Sequence, residues 1–147
     1  MRKALFLTLS LASLAFAPGA MAAGAAGMAA VSYGEPVLTA VSVSFSDSST
    51  TFRPDASTAE LLAEAKGATI IYVSGRTSTL RPSAADEALA LRRALSARQY
   101  LIARGVSPLK IMVNFASASD FVTDNSTPEG RNQNQRVDIE VIYVPTY

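Results

Sequence analysis

Apolar and polar positions alternate along the chain with two distinct periods, and their succession predicts the order β-α-β-α-β-loop-β. From Leu38 to Phe45, the residues Leu38, Val41, Val43 and Phe45 stand among Thr39, Ser42 and Ser44, close to the period of two expected of a half-buried strand. A polar stretch, Ser46 to Thr51, leads to Phe52-Arg53-Pro54-Asp55. Asp55 or Ser57 can there cap a helix that carries Leu61, Leu62 and Ala65 and stops at Gly67. Thr69 to Ser74 holds Ile70, Ile71, Tyr72 and Val73 in a near-continuous apolar run, the pattern of a central strand covered on both faces. Gly75-Arg76-Thr77-Ser78 reads as the loop at its end. Ser83, with Asp86 three positions later as a capping-box partner, opens a long helix that ends before Gly105. Its stripe of Ala90, Ala94, Ala97 and Leu101 is buried, and the small alanines let it approach a sheet closely.

Lys110 to Phe115 reads as a third strand. Arg136 to Val144, with Val137, Ile139, Val141 and Tyr143 alternating against Asp138, Glu140 and Ile142, reads as a fourth. The polar stretch between them, Ser117 to Gln135, exceeds the ~12–15 residues usual for a structureless loop, so it is functional, disordered or contains a short helix. Thr127 or Ser126 can start a turn there with Pro128 at its first position. The fold class is α+β: two helices on one face of a mixed four-stranded sheet.

The first residues change the picture of where this domain works. Arg2 and Lys3, the apolar stretch Ala4 to Ala17 and the small-x-small site Ala20-Met21-Ala22 form a secretory signal peptide over 1–22. Pro18 and Gly19 break the run short of the ~20 apolar residues of a membrane span. The alanine- and glycine-rich start of 23–37 reads as a flexible leader, and 38–147 as one domain with an ordinary core. The expected location is the periplasm, with outer-membrane association only through partners.

Charge and composition narrow the chemistry. Removing Arg2 and Lys3 from the 13 basic residues leaves 11 against 12 acidic ones, a net charge of −1. That balance carries no electrostatic case for nucleic acid or an anionic membrane. With no cysteine, the chain has no disulfide, thiolate zinc site or thiol nucleophile. With no histidine, it lacks the commonest general base and metal ligand. No G-x-S-x-G elbow or phosphate loop occurs. The reading is a non-enzyme without cofactor or metal.

Two arginines on the long helix differ in orientation. Arg92 lies ~160° around the axis from Ala94 and faces solvent, whereas Arg93 lies ~100° away at the border of the buried stripe. A guanidinium at that border can hold a ligand carboxylate bidentately, pair with Asp86 or Asp124, or cap a strand end. In the polar loop, Arg131 and Arg136 can anchor the turn around Asp124 and Asn125.

Three segments carry a family resemblance: Gly75-Arg76-Thr77-Ser78, Ala85 to Ala94 with its Leu89-Ala90-Leu91-Arg92-Arg93-Ala94, and Asn134-Gln135-Arg136-Val137. They resemble the Gly-His-Thr-Asp, Tyr-Asn-x-x-Leu-Ser-x-x-Arg-Ala and Asn-Arg-Arg-Val segments of OmpA-like C-terminal domains, which hold peptidoglycan in Gram-negative envelopes. Tyr100-Leu101, Gly105-Val106 and Lys110-Ile111 also fall where that family places such pairs, so the resemblance covers Ser42 to Val144. It implies the OmpA-like β-α-β-α-β-β sandwich and a diaminopimelate site in which a loop aspartate takes the ammonium and the helix arginine takes the carboxylate. Arg93 occupies the arginine position and Ser78 the aspartate position. Thr77, Asp86, Asn125 and Arg136 complete the implied ligand set.

Serine accepts a hydrogen bond but brings no charge. Losing most of a charged hydrogen bond worth about 1.5–3 kcal/mol weakens binding on the order of 10- to 100-fold. Asp86 restores the charge if it lies near the ammonium, or else serves only the capping box; Arg76 adds positive charge beside the pocket. Two functions follow. One is a peptidoglycan-binding anchor for an envelope assembly, and the other is a degenerate OmpA-like module making protein contacts within a secretion or conjugation apparatus.

Overall fold

The computed structural model describes residues 33–147. The expected signal peptide at 1–22, and the leader as far as Ser32, lie outside the described residues. The elements are β1 (Val37–Ser44), α1 (Ala56–Ala63), β2 (Ile70–Arg76), α2 (Ala84–Ala103), β3 (Ile111–Ala116), α3 (Pro128–Asn134) and β4 (Arg136–Tyr143), with 3-10 turns at Glu64–Gly67 and Pro108–Lys110.

The four strands form one mixed sheet in the order β1-β4-β2-β3. β4 runs antiparallel to both β1 and β2, and β2 and β3 are parallel. Cross-strand rows explain the core. Val41, Ile139, Val73 and Val113 stand side by side, as do Thr39, Val141, Ile71 and Ile111. These rows face the helices, where the α2 stripe Ala90, Ala94, Ala97 and Leu101 is fully buried as its periodicity predicts. The alternate rows, with Tyr72, Met112 and Glu140, are exposed. The apolar run of β2 is therefore covered on one face, not two: Ile71 and Val73 point to the helices, and Tyr72 lies open.

The caps match the sequence. Asp55 accepts from Thr58 N at 2.7 Å, Ser83 accepts from Asp86 N at 3.1 Å, and Thr127 accepts from Gly130 N at 3.0 Å with Pro128 at the first helical position. The long polar stretch thus contains a short helix, α3.

Other boundaries move for physical reasons. Gly75 and Arg76 belong to β2 and not to a loop, because β3 runs beside them and pairs them with Phe115 and Ala116. Gly75 is required there, since a Cβ would collide with the Ala90 carbonyl of α2. Lys110 closes the turn before β3 and donates its Nζ to Ala68 O at 2.7 Å. The end of the leader is tied down: Tyr33 bridges to Thr146, and Gly34 N donates to Pro145 O at 2.9 Å.

Candidate functional site

The C-terminal ends of β1, β2 and β3 and the start of β4 lie at one end of the sheet, so the loops 45–50, 77–82 and 117–127 gather there. Arg93 occupies the centre of that gathering. Its position on the helix-wheel border becomes full burial, with 0% exposure, because the loop after β1 covers it. Arg92 next to it is exposed, as the helix geometry predicts.

The Arg93 guanidinium is a clamp across three segments. Nε donates to Ser49 O at 2.9 Å, and Nη1 donates to Arg76 O at 3.3 Å. Nη2 donates to Gln135 Oε1 at 2.9 Å and to Ser46 O at 3.3 Å. The group also stands 5.3 Å from the centre of the Phe45 ring. The two ion pairs among the described residues, Arg76 with Asp120 and Arg136 with Asp138, do not include it. Asp47 reaches it only through Gln135, whose Nε2 donates to Asp47 Oδ1 at 2.7 Å. Burial pulls the guanidinium below its ordinary pKa, and the Asp47 charge opposes that pull. Of the arrangements open to Arg93 in the sequence, pairing with Asp86 or Asp124 is absent and capping of a strand end, at Arg76 O, is present.

The remaining residues of the implied site divide into those near this clamp and those away from it. Thr77 is 2% exposed, with Oγ1 3.1 Å from Thr79 Oγ1. Ser78 follows it, half-buried, and its carbonyl accepts from Asn125 Nδ2. Asn125 is fixed in turn by Asn134, whose Nδ2 donates to Asn125 Oδ1 at 3.0 Å and to Thr123 O at 3.1 Å. Arg131 donates to the Asn125 and Ser126 carbonyls, which anchors the turn. Asn125 and Ser78 are thus hydrogen-bonded to each other, and Arg93 touches this loop only at the carbonyl of Arg76, the residue before Thr77.

Asp86 is engaged elsewhere. Its carboxylate accepts from Ser83 Oγ in the capping box, and it lies two helical turns, ~10 Å, from Arg93 along α2. Arg136 also lies away from these residues. It alternates with inward-facing Val137 onto the open side of the sheet, donating Nε to both Asp138 oxygens at 2.9 and 3.0 Å and Nη2 to Asp120 O at 2.8 Å. Arg76 joins it there, with Nε 2.8 Å from Asp120. The positive charge of Arg76 is thus paired on the opposite side of the sheet from α2, not beside the pocket. Ser46, Ser49 and Asp47 carried no signal in the sequence for this role. The two serines act through backbone carbonyls, which carry no side-chain signal, whereas Gln135 was visible as the departure from Asn-Arg-Arg-Val.

Among the described residues, no group of three carboxylates could hold a metal, and no helix is long and apolar enough to cross a membrane.

Comparisons with known proteins converge on this scaffold. The sequence model of the OmpA family matches residues 45–135. The chain is 36% identical over 74 residues to outer membrane protein A of Bordetella avium, covering 50% of this chain and 38% of that protein. It is 36% identical over 72 residues to a Brucella suis protein named as a type IV secretion system outer membrane lipoprotein, covering 49% of this chain and 42% of the relative. The chain thus spans less than half the length of these relatives. Among solved structures, the peptidoglycan-associated lipoprotein of Burkholderia pseudomallei superposes with a TM-score of 0.59 at 24% identity, over 69% of this chain and 88% of that one. The cell wall anchor of the type VI secretion system of Pseudomonas aeruginosa superposes with a TM-score of 0.57 at 23% identity, over 77% and 87%.

Proposed function

The chain belongs to the OmpA family, and on that premise we propose that it is a non-catalytic periplasmic module that associates with the peptide of peptidoglycan and ties an envelope assembly to the wall. The observation that carries this reading is the buried Arg93 cation, held by carbonyls and an amide without a contacting carboxylate, one of those carbonyls being Arg76 O, which leads into Thr77 and Ser78. A buried charge without an ion-pair partner favours an anion in front of it. Diaminopimelate offers a carboxylate to that field, and the Ser78 hydroxyl can accept a hydrogen bond from its ammonium. With serine in place of aspartate the attraction for the ammonium is weak, so the module holds the wall loosely. The relatives named as a peptidoglycan-associated lipoprotein and a cell wall anchor support the same role.

Sedimentation of the purified protein with diaminopimelate-type peptidoglycan tests the proposal. Ser78→Asp should raise the bound fraction, corresponding to ~10-fold tighter binding, and Thr77→Val should lower it. If neither the parent protein nor Ser78→Asp sediments with the wall, the reading is wrong.

A second reading, a protein-contact component of a secretion or conjugation apparatus, is favoured by the open face of the sheet. Leu38, Tyr72 and Met112 there are 59%, 41% and 51% exposed. Exposed apolar surface of this kind marks contact sites.

A further inference from the structure

β1 is an edge strand whose outer side has no neighbour in the sheet among the described residues. Edge strands are ordinarily blunted by lysines, prolines, bulges or short length. β1 has none of these devices. It runs for eight residues, Val-Leu-Thr-Ala-Val-Ser-Val-Ser, without charge or proline, in unbroken register with β4 from Val37 to Ser44.

Three concavities share this strand as a common wall. One of about 560 Å³ lies at Thr39, closed by Leu61, Tyr143, Glu60 and Glu64. A second of about 260 Å³ lies at Ser42 to Ser44, against Arg53, Asp55 and Thr58. The third, about 540 Å³, continues from Ser44 to Asp47 and ends at Asn132 of α3. The strand-lined part, from Thr39 to Ser44, spans five residue steps, ~17 Å of extended chain at ~3.4 Å per residue, and the third concavity continues past it into the turn at Asp47. That is the form of a trough for a strand, not for a helix or a compact ligand.

Its charge selects the occupant. Glu60, Glu64, Asp55 and Asp47 line it against the single cation Arg53, and all five are exposed. A second copy of this chain pairing β1 with β1 would bring two acidic walls together, because a two-fold interface presents the same patch from both sides. The one cation each copy would bring, Arg53, is outnumbered by the four carboxylates of the facing wall.

We propose that β1 is a strand-addition site for an extended, cationic segment of a partner protein, in which β-branched residues fill the Leu61–Tyr143 end and lysines or arginines face Glu60, Glu64 and Asp47. Main-chain pairing supplies the affinity in such a complex, and the pockets for alternate side chains supply the choice of partner. The inference builds on the protein-contact reading, and Glu60 and Glu64, whose variants test it, lie outside the Arg93 network that Asp47 joins through Gln135, so wall sedimentation stands or fails independently of those variants.

The test uses two synthetic octapeptides, one alternating valine with lysine and threonine and the other with glutamate in place of each lysine. Fluorescence anisotropy with the purified protein gives the affinities, and amide hydrogen exchange locates the contact. The lysine peptide should bind at least tenfold more tightly than the glutamate peptide and newly protect amides within 37–44. Glu60→Lys combined with Glu64→Lys, both exposed and away from the core, should weaken the lysine peptide at least tenfold while leaving wall sedimentation unchanged. No binding of the lysine peptide, protection outside β1, or equal affinity for the two peptides would overturn the proposal. A dimer in sedimentation equilibrium with β1 amides protected would overturn it in favour of a second copy.

Discussion

At the scale of single residues, Arg93 is a structural clamp and an electrostatic source at once. Arg93→Ala removes hydrogen bonds from a charged donor, each worth about 1.5–3 kcal/mol, and strands the carbonyls of Ser46, Ser49 and Arg76. Urea unfolding should show a loss of more than ~3 kcal/mol. Arg93→Lys should recover less than half of it, because one ammonium cannot reproduce a planar fork that reaches three segments. Gly75→Ala, which sets a methyl against the Ala90 carbonyl, should cost about 1–3 kcal/mol in the same assay. The sequence made Arg93 visible as a border residue of the α2 stripe but left its partners open. Three of its four acceptors are main-chain oxygens, two in the loop after β1 and one at the end of β2, which the residue pattern does not place, and Ser46 and Ser49 are ordinary polar loop residues to any reading of side chains.

At the scale of elements, the fold was legible wherever local chemistry decides. Ser83 with Asp86, Thr127 with Pro128, and Asp55 all cap the helices that follow them. Strand alternation gave the inward row of β4 and Val41 and Val43 of β1 in the same way, but Leu38, grouped with them by its apolar side chain, lies on the open face and Thr39 takes the inward row. The end of β2 was not legible, because Gly75 and Arg76 look like a turn until β3 pairs with them. Nor was the sorting of Arg76 and Arg136 to the open face, which depends on register between strands distant in sequence.

The caps also set an acid response. Hydrogen bonds from Thr58 and then Ser57 lower the pKa of Asp55, and those from Ser126 lower that of Asp124. A depressed folded-state pKa contributes stability that is complete above the ordinary aspartate value near 3.8 and is lost as pH falls through the lower folded value. Carboxyl titration by NMR should find both groups ionised below that value. Asp55→Asn should keep the cap yet remove its share of the acid-induced loss, whereas Asp55→Ala should lower stability at neutral pH as well, read by urea unfolding.

At the scale of the whole molecule, one two-layer scaffold presents three separate surfaces: the loop end around Arg93, the open sheet face and the β1 edge. Of the residues the resemblance implied, Ser78 and Asn125 are hydrogen-bonded to each other at the loop end near Arg93, whereas Asp86 lies two turns along α2 in its capping box and Arg136 on the other face of the sheet. The central claim is that the loop end still receives the wall peptide in front of a buried, unpaired guanidinium. The most direct measurement is NMR shift mapping of the protein with a soluble diaminopimelate-containing stem peptide. The account predicts weak, saturable shifts centred on the Thr77, Ser78 and Asn125 amides, with affinity rising ~10-fold in Ser78→Asp. Shifts confined to the sheet face or the β1 edge, or none in either protein, would contradict it.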